Sequence, residues 1–184
     1  MRWGPLSRKR LGMEENMEYI TIRELTPEDA QKMIAYLKQI GAETDYLTFG
    51  EEGLPVTIEQ EKEYLKQEQE SERSVHYGAW KGEELIGEGS LSGYPRRMSH
   101  LAELGLTVIK AHWNKGIGSM LLDQLIAYAR KAGIEIIMLE VRSDNAGAIH
   151  LYEKYGFRRV GLMPAYFKIE NAYFDFVRMC LDLR

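Results

Sequence analysis

Hydrophobic positions along this chain recur with a period of two in some stretches and at helical spacing in others, and the two patterns alternate to the C-terminus. Residues 19–25, YITIREL, alternate and predict a first strand. Thr26-Pro27-Glu28-Asp29 predicts a helix start, with Thr as N-cap and Pro at the first helical position. Ala30, Met33, Ile34, Leu37 and Ile40 form one apolar stripe, which Gly41 is expected to end. Residues 42–56 carry Gly50, Gly53 and Pro55 with the aromatics Tyr46 and Phe49, and predict an irregular loop. That loop is either one wall of a substrate pocket or a plain connection. Thr57-Ile58-Glu59-Gln60 is a capping box that opens a second, Glu- and Lys-rich helix to about residue 72.

Residues 74–80 and 84–91 flank Lys81-Gly82-Glu83, a hairpin signal. A polar stretch, 93–99, leads to a strand over 101–109, so three successive strands are expected to form an antiparallel meander. Ile117, Met120, Leu121, Leu125, Ile126 and Ala129 then recur at helical spacing, predicting a helix from Gly116 to Ala132-Gly133. Residues 134–141, IEIIMLEV, are almost continuously apolar and predict a buried strand. Strand, crossover helix and strand in that order imply parallel neighbours with a right-handed connection. Ser143-Asp144-Asn145 supplies caps for a short helix over 146–155, stopped at Gly156, and residues 157–162 and 173–183 predict two closing strands. The predicted order is β-α-α-β-β-β-α-β-α-β-β: an α/β chain of the α+β kind, with a mixed sheet.

Composition narrows the function classes. The chain has 184 residues, 45% of them apolar, which suits one domain, expected over 17–184. Residues 1–16 hold four basic groups with no apolar run behind them; a loose tail is expected there, with Met13 and Met17 as alternative starts. The net charge of −4 gives no overall pull toward nucleic acid. No apolar run approaches the ~20 residues of a membrane span. The single Cys180 excludes an internal disulfide and fits a reducing, cytoplasmic compartment. Cys180 lies in the apolar MCLDL segment without a His nearby in sequence, which favours packing over a nucleophilic role. His76, His100, His112 and His150 show no metal-ligand spacing, and no metal is expected.

The stretch with most chemistry is 101–121, LAELGLTVIKAHWNKGIGSML. A glycine turn running into a helix leaves main-chain N–H groups unpaired and aimed one way, and the helix dipole favours negative charge there. Gly116 and Gly118 frame the turn and Lys115 adds a cation. It is not a Walker loop, because no Gly-Lys-Ser/Thr closes it, nor a dinucleotide fingerprint, because Leu121 stands where the third glycine belongs. Taken alone, the segment fits a phosphate site or an ordinary strand-to-helix connection.

Two motifs coincide, however. Val108 is followed after seven residues by Gly116-Ile117-Gly118, and residues 139–157 read LEVRSDNAGAIHLYEKYGF. Together they resemble the GNAT superfamily of acyl-CoA N-acyltransferases. Asn145, Ala148, Leu151-Tyr152 and Gly156-Phe157 stand at the family's spacing, and the resemblance extends over the order of elements from about residue 19 to 183. It implies that the strands at 101–109 and 134–141 splay apart at their C-terminal ends. The pantetheine arm of acetyl-CoA, the co-substrate, would lie in that gap, paired with main chain near Leu106, Thr107 and Val108 like an added strand. The diphosphate would rest on the amides of Asn114, Lys115, Gly116, Ile117, Gly118 and Ser119, and Asn145 would meet the pantetheine amides. Where the family usually has Gln or Arg, this chain has Trp113; main-chain donors carry most of the phosphate binding, so the loop keeps its role.

Acyl transfer to an amine needs a neutral amine, a polarised thioester and a proton for the departing thiolate. A lysine-like amine has a pKa of about 10.4, so a base must take its proton at neutral pH. Glu103 shares a strand face with Gly105 and Thr107, and Glu140 stands near the end of the apolar IEIIMLEV strand, where a carboxylate needs a role or a partner. Both match positions of a base in branches of the family: Glu103 in side-chain and small-amine acetylating branches, Glu140 in branches acting on protein N-termini. The alternative for each is a structural hydrogen bond or salt bridge, with Arg142 as one partner. Main-chain N–H near Val108 would polarise the carbonyl. Tyr152 would give its proton to the thiolate, and its alternative role is aromatic packing. Tyr166 and Phe167 follow Pro164 in the connection between the last strands and would line the acceptor pocket or simply pack. The expected activity is acetyl transfer from acetyl-CoA to a primary amine of a small molecule, by direct attack in a ternary complex. Its alternatives are a protein N-terminal or lysine acetyltransferase and a non-catalytic acyl-CoA sensor, as monomer or homodimer.

Overall fold

The computed structural model describes residues 19–184 and the main chain of Arg8–Lys9. Its strands are β1 (Arg8–Lys9), β2 (Ile20–Glu24), β3 (Val75–Lys81), β4 (Glu84–Gly93), β5 (Leu101–Val108), β6 (Ile136–Arg142), β7 (Arg158–Ile169) and β8 (Ala172–Asp182). Its helices are α1 (Ala30–Glu43), α2 (Ile58–Glu70), α3 (Ile117–Lys131) and α4 (Ala146–Lys154). All strands join one sheet in the order β1-β2-β3-β4-β5-β6-β8-β7, antiparallel throughout except for β5 beside β6. This is the predicted mixed sheet and element order, with a two-residue strand added at one edge. The expectation of a loose tail over 1–16 lies outside the described residues, apart from Arg8–Lys9, which pair with Thr21 and Ile20.

Two helical layers follow from the alternation of the strands. Gly87 and Gly89 of β4 face α3, where an added Cβ would meet Ile117 at 3.3 Å and Leu125 at 2.9 Å. The intervening Glu88 and Ser90 therefore face the opposite side, where Tyr36 of α1 and Tyr64 of α2 lie. One core cluster joins α1 to β2–β4 through Met33, Tyr36, Leu37 and Ile40. The other joins α3 and α4 to β5, β6 and β8 through Leu122, Leu125, Ile149, Tyr152, Leu139 and Met179. No described helix is long and apolar enough to cross a membrane.

Three local expectations are corrected. Gly41 does not end α1, which continues to Glu43. Its hydrogen instead faces the carbonyl oxygen of Gly50, which an added Cβ would approach to 1.9 Å. The glycine marks a close approach of the 44–57 loop to the helix, not a cap. Gly118 is likewise not in the turn but inside α3, where it leaves room for Leu151 of α4. Finally, Pro164, Tyr166 and Phe167 are not in a connection. Strand β7 runs on to Ile169 through two irregularities, and the reversal falls between Ile169 and Ala172, with Glu170 at φ 53°. Pro is tolerated there because β7 is the sheet's edge.

Candidate active site

Only three residue pairs hold β5 to β6: Leu101 with Ile136, Ala102 with Ile137 and Glu103 with Met138. Beyond them β6 pairs with β8 alone, up to Arg142 with Phe176, while β5 stays on β4 as far as Val108 with Gly87. A gap therefore opens toward the C-terminal ends of the parallel pair. Ile109 N donates to Ile86 O, which fixes the phase of the ladder: Thr107 and Gly105 turn their main-chain groups to β4, and Leu106 and Val108 turn theirs into the gap. The Val108 carbonyl accepts from the Trp113 indole nitrogen at 2.6 Å. Trp113 thus folds back on the mouth of the gap.

At the same mouth the N-terminus of α3 is open. Gly116 occupies its cap position at φ 81° and no side chain caps the helix. Asn114 also has positive φ, 58°, and Trp113, Asn114, Lys115 and Gly116 are all exposed. The first-turn amides, from Ile117 to Ser119, so have no partner within the helix and lie at its end beside Lys115. Strand main chain turned into the gap at Leu106 and Val108, followed by an uncapped 15-residue helix, matches the two ends of a pantetheine diphosphate, so the residues present fit acetyl-CoA. Gly116 is needed for its backbone and not for space, since no atom lies within 4 Å of its added Cβ. Gly116→Val is therefore expected to strain the turn by about 1–2 kcal/mol and to weaken coenzyme A on the order of tenfold. Isothermal titration with coenzyme A checks this; an unchanged affinity would mean that the turn does not hold the diphosphate.

Asn145 caps α4 by accepting from Ala148 N at 3.2 Å, so both residues stand at the helix start beside the end of β6. Tyr152 lies on the same helix, 5% exposed, its ring tilted against Phe157 with centroids 5.6 Å apart. Burial first, then the charge of Glu88, pushes its phenol above the usual tyrosine pKa.

The two candidate bases come together on the sheet face away from α3. Glu140 is paired across the ladder with Arg178 of β8, and the Arg178 guanidinium lies 3.8 Å from Glu140 and 3.7 Å from Glu103. The alternative ion pair of either carboxylate with Arg142 is not formed among the described residues. Arg142 instead binds Asp144 at 2.6 Å and the Asp45 carbonyl at 3.1 Å, stacked between the rings of Tyr46 and Phe174. It pins the 44–57 loop to the end of β6. Glu103 also accepts from the Tyr94 hydroxyl at 2.7 Å, and Glu140 from Tyr166. Each carboxylate raises the pKa of its tyrosine through that bond. Tyr166 thus belongs to this wall although it sits in a strand, while Phe167 packs on Phe176. Gly105, exposed, forms the floor between Glu103 and Thr107. Cys180 is half-buried in β8.

Sequence reasoning did not find Arg178 or Tyr94, whose neighbours come from distant strands. It also missed a buried chain of polar groups leading from the floor. Tyr36 bonds Thr107 at 2.8 Å, Thr107 donates to Glu88 at 2.7 Å, and Glu88 meets His76 Nε2 at 2.9 Å. A signal existed: the hairpin register places His76 opposite Ser90, diagonal to Glu88, a carboxylate in a Gly- and Ser-rich strand.

Comparison with known proteins bears on this geometry. Residues 30–157 match the model of the acetyltransferase (GNAT) family. The N-alpha-acetyltransferase RimI of Mycobacterium tuberculosis is 31% identical over 161 residues, covering 87% of this chain and 92% of that protein. A [ribosomal protein bS18]-alanine N-acetyltransferase of Salmonella typhimurium is 36% identical over 69 residues, 38% of this chain and 47% of that one. Among solved structures, a GNAT-family acetyltransferase from Streptococcus pneumoniae superposes with a TM-score of 0.86 at 29% identity, over 89% of this chain and 99% of that one. The fold of yncA from Salmonella typhimurium, solved with its cofactor acetyl-CoA, matches with a TM-score of 0.78 at 22% identity, over 90% and 94%. The open parallel pair, the uncapped helix after it and these matches agree, and the chain belongs to the acetyltransferase (GNAT) family as an acetyl-CoA-dependent acetyltransferase.

Proposed function

We propose that this enzyme moves the acetyl group of acetyl-CoA to a primary amine of a small molecule by direct attack, both substrates being bound together. The observation that carries the reading is the wall beside the gap, where Glu103 and Glu140 flank Arg178 on an uncovered part of the sheet. Two carboxylates and one guanidinium suit an acceptor with an ammonium and a second, negative or polar group. In this reading Leu106 and Val108 hold the pantetheine arm by their main chain, and Thr107, whose main chain is spent on β4, stands between them. Asn114, Lys115, Gly116, Ile117, Gly118 and Ser119 hold the diphosphate, with Trp113, Asn145 and Ala148 lining the arm. Acetyl-CoA supplies the activated acyl group. Main-chain N–H in the gap stabilises charge on the carbonyl oxygen. Glu103 or Glu140, directly or through water, takes the ammonium proton, and Tyr152 holds a proton for the leaving sulfur.

A second reading, acetylation of a protein α-amine, is favoured by the similarity to RimI over most of both chains. Release of free thiol with a panel of small amines and of peptides separates them: turnover with small amines supports the first, turnover confined to peptide N-termini the second. Glu103→Gln and Glu140→Gln identify the participating carboxylate. The one that supplies the base is expected to lower kcat/KM on the order of 100-fold at pH 7. The other, needed only to hold the ammonium, is expected to raise KM with kcat retained. If both profiles match the unmodified enzyme, neither carboxylate takes part.

A further inference from the structure

We propose that the acceptor amine also meets a second proton acceptor close to the thioester: the Thr107 hydroxyl, backed by the buried Glu88 carboxylate and held by His76. The inference rests on the acetyl-transfer reading above.

The orientation of the chain follows from counting hydrogens. A threonine hydroxyl has one proton to give and two lone pairs. Thr107 gives its proton to Glu88, so the Tyr36 hydroxyl must donate to Thr107 and use one lone pair. The second lone pair is left. Thr107 is half-buried and stands next to the exposed floor residue Gly105, so that lone pair is available to a group in the cleft. Thr107 donates to one Glu88 oxygen, and His76 Nε2 lies 2.9 Å from the other. Along these bonds the route from the Glu88 carboxylate to the cleft is the Thr107 oxygen.

Position favours this route over Glu103. Thr107 lies between Leu106 and Val108, whose main chain faces the gap. Glu103 lies three residues before Leu106, roughly 10 Å of extended strand, and reaches an amine beside the gap only through water. Burial is also informative. His76 and Glu88 are 5% and 8% exposed, and a buried ion pair is costly compared with apolar packing. Here it sits behind one threonine that opens on the cleft. The groups around it are Tyr36 from α1, Glu61, Tyr64 and Glu68 from α2, Thr107 from β5 and Tyr152 from α4. Burial pulls the His76 imidazole toward neutrality. The bond and charge of Glu88, with Glu68 and Glu61, outweigh it and place its pKa above the usual value.

The proton step balances. The ammonium N–H bond breaks as its proton passes to the Thr107 oxygen, and the Thr107 O–H bond breaks as its proton passes to Glu88. The amine is left neutral and Glu88 a carboxylic acid. Thr107 is the group that touches the amine; Glu88 and His76 are positioning residues acting through it.

The test measures kcat/KM against pH for Thr107→Val, Thr107→Ser and Glu88→Gln, with coenzyme A affinity by titration. Thr107→Val and Glu88→Gln are expected to lose on the order of 100-fold at pH 7. The loss should shrink as pH approaches the amine's own pKa, about 10.4 for a lysine-like acceptor, because free amine then needs no base. Thr107→Ser keeps the hydroxyl and should restore the rate, with coenzyme A affinity unchanged in all three. A loss that is the same at every pH, or a Thr107→Val enzyme within about twofold of the parent, overturns the relay while leaving acetyl transfer intact. A parent enzyme that acetylates no amine in the panel overturns both.

Discussion

Replacing Tyr152 by Phe is expected to lower kcat on the order of 100-fold while coenzyme A affinity stays the same. The substitution is clean for a physical reason. Tyr152 is buried and its ring packs on Phe157, so Phe keeps the shape of that contact and removes one oxygen. Folding is therefore expected to change little, and a fall in kcat reports the missing proton. Burial, and next the Glu88 carboxylate, raise the phenol's pKa. The group therefore stays protonated through neutral pH, as an acid must before the sulfur departs. The sign for the pH profile follows: deprotonation of Tyr152 should not end activity until pH has passed the ordinary phenol value of about 10. Pre-steady-state measurement of thiol release, with coenzyme A titration alongside, checks both points. A Phe variant with an undiminished rate would leave Tyr152 as a packing residue.

The second large effect is on the scaffold. Gly41→Ala is expected to destabilise the protein, although alanine is the better helix former by about 1 kcal/mol. The new methyl would sit 1.9 Å from the Gly50 carbonyl oxygen, a main-chain atom that no rotamer change can move. The whole 44–57 loop would have to retreat, yet Gly50 O also accepts from Gly53 N, and Asp45 is tied to Arg142. Overpacking costs about 1–3 kcal/mol, and a clash with main chain falls at the upper end, so after the gain in propensity a net loss of about 2 kcal/mol is expected. For a chain of this size that lowers Tm by about 4–8 °C. Because Tyr46 of the same loop stacks on Arg142 at the end of β6, KM for the amine should rise as well. A higher Tm in the variant would show that the loop does not pack on α1.

What could be read in the sequence was whatever depends on neighbours along the chain. Thr57 and Gln60 cap α2 reciprocally, as their spacing implies, because capping is decided within four residues. The apolar run of β6 and the helical stripe of α3 specified a strand-helix-strand unit, and its handedness follows from chain chirality. The glycine turn before α3 was visible too, since a left-handed residue there is a local requirement.

What the sequence could not decide was which side chains from distant strands would meet. Gly41 looked like a helix end because its true neighbour, the Gly50 carbonyl, arrives from a loop of irregular backbone. Arg142, close in sequence to Glu140, was an alternative partner for either carboxylate, but the β6–β8 register set Arg178 opposite Glu140 and left Arg142 to Asp144 and two aromatic rings. Register is fixed by burying one whole face of each strand, a property of the assembled sheet. The same sheet brought His76, Glu88, Thr107 and Tyr36 into one chain from four elements. The order of elements and the glycine turn before α3 are thus determined locally, whereas the gap between β5 and β6 and the cross-strand partners of Glu103, Glu140 and Glu88 are set only when the strands are laid side by side.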